Sequence, residues 1–106
     1  MRHLLGAILV GAIAVSGAAV SQAQDAGAAT YKAKCASCHG TDGSGSTPAG
    51  KSMKALPFKS PDIVSASDDD LIADTKKGKG KMPAYSGKLT DAQIKDVVAY
   101  IRTLQK

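Results

Sequence analysis

The stretch that decides the fold is Cys35-Ala36-Ser37-Cys38-His39, which holds both cysteines of the chain and one of its two histidines. Positions 35, 38 and 39 are spaced so that in a helix their side chains share one face. A disulfide between cysteines so close in sequence would close too small a loop to stabilise a domain. The two thiols and the imidazole therefore predict a chemical site.

Three kinds of site use cysteines at this spacing: a redox dithiol, a zinc site and a covalent haem site. A thioredoxin-like dithiol needs a βαβ unit, yet residues 24–106 contain no alternating β-branched strands. Zinc prefers four ligands, but these residues offer only the two cysteines and His39, with no Glu. Covalent haem uses the whole motif, because the thiols add to the haem vinyl groups and the imidazole lies under the iron. We therefore predict one haem c.

The N-terminal segment has the features of a secretory signal peptide. Met1-Arg2-His3 is cationic, residues 4–20 are rich in Ala and Gly, and Ser21-Gln22-Ala23 offers small residues for a peptidase. We predict a signal peptide over residues 1–23 and one domain over residues 24–106. A retained membrane anchor is the alternative, although the apolar run is short and weakly hydrophobic for a spanning helix. Export predicts the periplasm, or the thylakoid lumen or an equivalent compartment.

The composition is that of one small basic domain. The chain has 106 residues, a formal net charge of +5 and 4% aromatic residues, and no segment repeats at a fixed period. A domain of this size is commonly stabilised by a disulfide, a metal or a cofactor. Nucleic acid is not an expected partner, because the chain carries an export signal and lacks interleaved aromatic and basic residues.

The second ligand of a haem iron would be Met53, Met82, a weaker donor or nothing. His3 lies in the predicted signal peptide, so His39 is the remaining histidine. Met82 follows a glycine-rich run and precedes Pro83, which disfavours helix at Met82 and leaves its backbone extended. Met53 is interpreted instead as apolar packing over the haem edge or the core. We predict that His39 and Met82 bind the iron, a pair that favours the ferrous form and suits electron transfer.

The rest of the chain predicts an all-α fold of short helices and loops. Helices are expected to start at N-caps or at proline, and to end near glycine. The predicted starts are Asp25, with a helix running to Cys38, then Ser60-Pro61, Ser67, with a helix closing at Gly78, and the Thr90/Gln93 capping box, while residues 40–50 are predicted to form a loop. The last helix carries an apolar stripe that must be buried, formed by Ile94, Val97, Val98, Ile101 and Leu104.

With these features the chain resembles the class I c-type cytochromes. The resemblance covers residues 24–106 and includes a helix leading into the cysteine motif, a Met82-Pro83 loop and a C-terminal helix. It implies the cytochrome c fold, with four to five short helices around one haem. It also implies thioether bonds from Cys35 and Cys38, with His39 as the proximal ligand and Met82 as the distal ligand.

The resemblance carries two further structural expectations. A small residue and an aromatic residue of the first helix should cross an aromatic residue of the last helix, which here would be Gly27, Tyr31 and Tyr100. The proximal histidine should donate to a backbone carbonyl in the loop after the motif, often at a proline, and Pro48 is the candidate here. Both expectations concern contacts between segments that are distant in sequence.

The haem propionates have no obvious partner in this chain. Many relatives use a Trp or an Arg, but this chain has no Trp, and Arg102 of the last helix is its only arginine after the predicted cleavage site. The remaining basic candidates near the motif are Lys51, Lys54 and Lys59, for which solvated lysines are the alternative interpretation.

The expected function is that of an exported carrier of one electron between larger redox proteins, not an enzyme. Lysines crowd the stretch before Met82, at Lys76, Lys77, Lys79 and Lys81. Such a rim would steer the acidic docking surfaces of a donor and an acceptor. We expect a monomer with no stable membrane insertion after cleavage. Two alternatives remain: a five-coordinate haem protein that binds gas or acts as a weak peroxidase, and an electron-entry subunit fixed to one dehydrogenase or oxidase.

Overall fold

The chain folds into helices joined by loops, as the sequence predicts. The computed structural model describes Gly11 and residues 16–106. These residues form α1 (Ser16–Lys34), α2 (Ala36–His39), α3 (Pro48–Ser52), α4 (Pro61–Ser65), α5 (Asp68–Lys77) and α6 (Asp91–Leu104). Over the same residues no β-strand forms, and β-pairing is limited to two isolated bridges. The all-α prediction is confirmed, with one more helix than the four to five expected.

The first predicted helix is wrong at both ends. It begins at Ser16 instead of Asp25, because the Ala-rich residues before Asp25 favour helix as well. It stops at Lys34, and Cys35 adopts φ −117° and ψ −35° at the start of α2. That φ angle departs from helical geometry, so the motif turn is a separate short helix.

The predicted signal peptide falls mainly outside the described residues, and its cleavage remains a prediction. The cleavage point before Gln24 lies within α1. Gly27 and Tyr31, two residues of α1 that contact α6, follow that point. In the described part of the chain, no helix combines the length and the apolar character needed to cross a bilayer.

The predicted loop over residues 40–50 ends early, because α3 begins inside it. Thr47 is the N-cap of α3, and its hydroxyl oxygen accepts a hydrogen bond from the Gly50 amide at 2.9 Å. Pro48 occupies the first helical position, where its missing N–H costs nothing. The Thr-Pro pair is thus a helix start and not a continuation of the loop.

The predicted N-cap positions of α4, α5 and α6 are confirmed, and two of the three side chains make the capping hydrogen bond. The Ser67 hydroxyl accepts from the Asp70 amide at 3.1 Å, and Thr90 and Gln93 form the full capping box of α6. Ser60 precedes Pro61 at the start of α4, although the Ser60 side chain makes no capping hydrogen bond. These local signals fix where α4, α5 and α6 begin.

One arginine ties α6 to the region between α4 and α5. The guanidinium of Arg102 donates to the carbonyl oxygens of Ile63 at 3.3 Å and Ala66 at 2.5 Å. It also donates to the carboxylate of Asp68 at 2.8 Å. Arg102 is therefore engaged in holding helices together.

The core lies where α1 crosses α6. A Cβ atom at Gly27 would overlap the Asp96 carbonyl and come within 3.1 Å of the Tyr100 Cβ, so only glycine allows this approach. The rings of Tyr31 and Tyr100 lie 5.2 Å apart. The crossing expected from the resemblance is confirmed. The buried cluster beside it contains Tyr31, Cys35, Phe58, Val97 and Ile101.

Candidate haem-binding site

The cysteine motif forms one helical turn directly after the end of α1. The amides of Cys38 and His39 both donate to the Cys35 carbonyl, at 3.2 Å and 2.9 Å. Both cysteines are free, with Cys35 buried and Cys38 partly exposed. Burial is the main cause that raises the pKa of the Cys35 thiol to about 11, and the Cys38 thiol adds to it. The three predicted site residues of the motif therefore share a single turn.

His39 has a buried nitrogen that lacks a partner. Its Nδ1 atom is buried and makes no hydrogen bond in the described structure. The ring stacks on Phe58, with 4.6 Å between ring centroids and 23° between ring planes. Burial lowers the pKa of the His39 imidazole, which favours the neutral form that binds metals. Buried polar atoms are nearly always paired, so Nδ1 is an exception in this structure, and it is the nitrogen that the expected bond to a backbone carbonyl would satisfy.

The structure does not contain the predicted hydrogen bond between His39 and the Pro48 carbonyl, since the Nδ1 atom of His39 has no partner. Pro48 lies instead at the first position of α3. The backbone of the motif is held by neighbouring residues instead. The Thr47 hydroxyl donates to the Cys38 carbonyl at 2.8 Å, and the Gly45 amide donates to the His39 carbonyl at 2.8 Å. Thr47 was not singled out from the sequence, although a Thr before Pro is a recognisable helix cap.

Tyr31 forms a hydrogen bond at the C-terminal end of the motif. Its hydroxyl donates to the Gly40 carbonyl at 2.5 Å, inside the buried region. Burial, more than the neighbouring ionisable groups, raises the pKa of Tyr31 above its ordinary value, so the phenol stays a donor. Tyr31 therefore links the α1–α6 crossing directly to the residue after His39.

Met82 lies in a tight loop after α5. The amide of Lys79 donates to the Met82 carbonyl at 3.2 Å, and the Met82 amide donates back to the Lys79 carbonyl at 2.9 Å. Beyond Pro83 the chain returns to the end of α5, where the amide of Tyr85 donates to the Thr75 carbonyl at 3.0 Å. Both ends of the loop are therefore attached to α5.

A tyrosine side chain brings the Met82 loop to the cysteine motif. The Tyr85 hydroxyl donates to the Lys34 carbonyl at 3.1 Å, immediately before Cys35. Burial raises the pKa of Tyr85 most, and the nearby Cys35 and Cys38 thiols raise it further. Sequence reasoning missed Tyr85 because no local pattern predicts a contact between residues so far apart in the chain.

Gly78 makes the Met82 loop possible, and we expect Gly78→Ala to lower the free energy of unfolding by about 2 kcal/mol. Gly78 has φ +79°, and a Cβ there would approach the Met82 carbonyl at 2.7 Å and the Ala84 amide at 3.0 Å. The added methyl group therefore meets backbone that cannot rotate away. Urea unfolding monitored by circular dichroism measures the change.

Gly87 offers a matched control for this substitution. It has φ +84°, but a Cβ there would meet nothing within 4 Å. Gly87→Ala therefore adds the conformational strain without the clash, and we expect a loss of about 1 kcal/mol. Equal losses at the two positions would contradict the close packing of Gly78 against the Met82 loop.

Met53, the other methionine considered as a ligand, lies against the motif. Its sulfur atom is 4.0 Å from the Cys38 sulfur, and 37% of the residue is exposed. This position over Cys38 fits the interpretation of Met53 as a packing residue.

The donor set of this site fits haem c. Two free thiols and a partly buried imidazole share one turn, and a loop that carries a thioether is bonded beside it. A classical metal site does not fit, because residues 16–106 contain no cluster of three or more His, Cys, Asp or Glu side chains that could hold an ion.

Comparisons with known proteins agree with this fit. A family model described as "Cytochrome C oxidase, cbb3-type, subunit III" matches residues 22–101. Cytochrome c-555 of Chlorobaculum tepidum is 39% identical over 108 aligned positions, which cover 95% of each chain. Cytochrome c6 of Nostoc sp. is 33% identical over 105 positions, covering 95% of this chain and 92% of the relative. Cytochrome c6 of Leptolyngbya boryana is 38% identical over 78 positions, covering 72% of this chain and 86% of the relative.

These matches extend well beyond the cysteine motif. The family model covers α2 to α5, nearly all of α6 and the part of α1 that packs on it. Two of the relatives align with almost the whole chain. The motif, the helical architecture and the matches together show that the chain belongs to the class I c-type cytochromes, small proteins that carry covalently attached haem c.

Proposed function

We propose that this protein carries single electrons between larger redox proteins, through one haem c held by Cys35, Cys38 and His39 with Met82 as the second axial ligand. The observation that carries the proposal is the hydrogen bond from Tyr85 to the Lys34 carbonyl, which holds the Met82 loop beside the motif. The relatives named cytochrome c6 and cytochrome c-555 support a carrier role.

The haem supplies reversible one-electron chemistry, and the residues around the site determine its stability and its potential. Partial burial lowers the pKa of His39 and favours the neutral form that can offer a ring nitrogen, and Phe58 covers one face of its ring. A methionine thioether opposite histidine raises the reduction potential. If His39 and Met82 both hold the haem iron, they would leave it no open position for a substrate or for dioxygen. This ligand pair would suit an electron carrier and not an enzyme.

We propose that the donor and the acceptor have acidic docking surfaces. Of the four lysines before Met82, Lys76 pairs with Asp91 at 3.1 Å and Lys79 pairs with Asp74 at 3.6 Å. Within residues 16–106, Lys77 and Lys81 form no ion pair and are exposed. These two lysines would supply most of the long-range attraction from this stretch, an effect that salt screens.

We further propose that the protein works in the periplasm, the thylakoid lumen or an equivalent compartment, as a monomer, after cleavage before Gln24. The N-terminal sequence supports this location through its cationic start, apolar run and small residues at the cleavage point. Cleavage there would leave Gly27 and Tyr31, which contact α6, in the mature chain.

Absorption spectra of the purified holoprotein in the ferric and ferrous states test the proposal, followed by addition of carbon monoxide to the ferrous form. We expect low-spin spectra in both states and no rapid binding of carbon monoxide, because His39 and Met82 would both bind the iron. A high-spin spectrum with rapid carbon monoxide binding would support the five-coordinate alternative. Isolation of the protein only as a stable complex would support the fixed-subunit alternative.

A further inference from the structure

The Met82 loop is attached to α5 at both of its ends. The Gly78 amide donates to the Asp74 carbonyl at 2.8 Å. The Tyr85 amide donates to the Thr75 carbonyl at 3.0 Å. Since α5 in turn packs against α6, this loop belongs to the part of the molecule that those two helices form.

The cysteine motif is held by a different set of elements. Its helix α2 contacts both α1 and α3. The Thr47 hydroxyl, at the start of α3, donates to the Cys38 carbonyl at 2.8 Å. The Tyr31 hydroxyl of α1 donates to the Gly40 carbonyl. The proposed proximal and distal ligands of the haem iron therefore lie on separate groups of helices.

Within residues 16–106, one hydrogen bond joins the Met82 loop to the other group. The Tyr85 hydroxyl donates it to the Lys34 carbonyl at 3.1 Å, and no second hydrogen bond in that range links residues 78–90 to α1 or to the motif. The ion pair of the loop runs elsewhere, because Lys79 pairs with Asp74 of α5 at 3.6 Å. One phenol hydroxyl therefore provides the hydrogen-bonded link between the loop and the motif.

The backbone of Tyr85 is fixed independently of its hydroxyl. Its carbonyl accepts hydrogen bonds from the amides of Lys88 and Leu89, both at 2.9 Å, and Leu89 is buried. The Lys88 ammonium lies 5.8 Å from the centre of the Tyr85 ring, within the distance of a cation–π contact. Replacing this tyrosine with phenylalanine would therefore remove the hydroxyl and leave the ring in place.

The link between Tyr85 and Lys34 is accessible to water. Lys34 is exposed and Tyr85 is partly exposed, so water can take the place of either partner when the hydrogen bond breaks. A bond of this kind shifts the balance between a closed and an open form by a few-fold. Segments that depend on few such bonds can open locally while the rest of the protein stays folded.

We propose that Tyr85 is a positioning residue whose hydroxyl holds the Met82 loop closed on the cysteine motif, and so limits the exchange of Met82 for an external ligand. This inference rests on the proposed ligation by Met82 and adds which side chain governs the opening of the loop. When the loop opens, the hydrogen bond between the Tyr85 hydroxyl and the Lys34 carbonyl breaks, and water satisfies both groups. The hydrogen bonds to α5 are not part of this contact, so they can guide the loop back.

Imidazole titration of the ferric holoprotein tests this role, because imidazole can take the distal position only where Met82 has left it. The apparent affinity for imidazole therefore rises with the fraction of molecules whose loop is open. We expect Tyr85→Phe to bind imidazole about threefold more tightly than the wild type does. The weak ferric absorption band that marks the thioether ligand should be present in both proteins before imidazole is added.

Two variants separate this role from a general effect on stability. Tyr100→Phe makes the same chemical change in α6, where the Tyr100 ring lies 5.2 Å from that of Tyr31. Ala26→Gly lowers the stability of α1 at an exposed position through helix propensity alone. Both variants should bind imidazole with the wild-type affinity, and thermal unfolding of each holoprotein measures how far its global stability has changed.

The outcomes distinguish the role of Tyr85 from the ligation itself. The inference is overturned if Tyr85→Phe binds imidazole no more tightly than the wild type, or if Tyr100→Phe or Ala26→Gly gains as much affinity as Tyr85→Phe. In those cases the ferric band of the wild type would still support Met82 as the ligand. If the wild type lacks that band and is high-spin before imidazole is added, the proposed ligation by Met82 fails instead.

Discussion

Replacing Gly27 with alanine is expected to lower the free energy of unfolding by about 3 kcal/mol, although alanine is the better helix former by about 1 kcal/mol. The new Cβ would overlap the Asp96 carbonyl and lie 3.1 Å from the Tyr100 Cβ. A backbone carbonyl within α6 cannot rotate away, so the two helices would have to separate. Since this crossing positions Tyr31 and Cys35, the separation would loosen the core cluster as well.

The neighbouring residue provides the control for this prediction. Ala26 is exposed on the same helix, so Ala26→Gly should cost about 1 kcal/mol through helix propensity alone. Urea unfolding of the wild type and both variants gives the comparison. Propensity and packing predict opposite signs for Gly27→Ala, so a neutral or stabilising result would contradict the close crossing of α1 and α6.

The helix caps could be predicted because each depends on residues close together in the sequence. The Thr90/Gln93 box and the Ser67 cap form hydrogen bonds within one turn of their own helices. The apolar stripe of α6 is also a local pattern, and Ile94, Val97 and Val98 are buried as it requires. Signals of this kind are complete before the tertiary structure forms.

The helix boundaries around the motif were harder to predict. Ala-rich sequence on both sides of Asp25 favours helix, so the capping preference of Asp25 does not end the helical run. The interruption at Cys35 occurs where the chain turns from α1 into the motif. Periodicity cannot show such a turn, because the residues on both sides are compatible with helix.

The contacts that complete the site join residues distant in sequence. The Tyr85 hydroxyl reaches Lys34, and Phe58 stacks on His39. Each contact depends on how loops fold back over the motif, which a hydrophobic pattern does not encode. The Gly27 crossing is also nonlocal, and the resemblance to a family predicted it where helical spacing could not.

The Met82 loop illustrates how local and distant constraints combine. Gly78 ends α5 through a local signal that the sequence shows, and its missing side chain also leaves space for the Met82 and Pro83 backbone. The Tyr85 hydrogen bond then brings that loop to the motif. These contacts fix the backbone on both sides of Met82, the proposed second ligand.

The second large effect is expected from Met82→Ala in the holoprotein. If Met82 is the axial ligand, its removal should lower the midpoint reduction potential by on the order of 0.1 V, within the range of about 0.8 V that axial ligands span. The weak ferric absorption band near the red edge of the spectrum should disappear with the thioether. Redox titration followed by absorption measures both changes in one sample.

Met53→Ala is the matched control, because it removes the same side chain from a position beside the motif, 4.0 Å from the Cys38 sulfur. Met53 packs over a cysteine in the present interpretation, so its loss should leave the ferric band in place and shift the potential far less than Met82→Ala does. A reversal, in which Met53→Ala removes the band and Met82→Ala retains it, would assign the ligand to the turn after α3. Retention of the band in both variants would refute methionine ligation. In either case the Tyr85 hydrogen bond would hold the Met82 loop for packing and not for coordination.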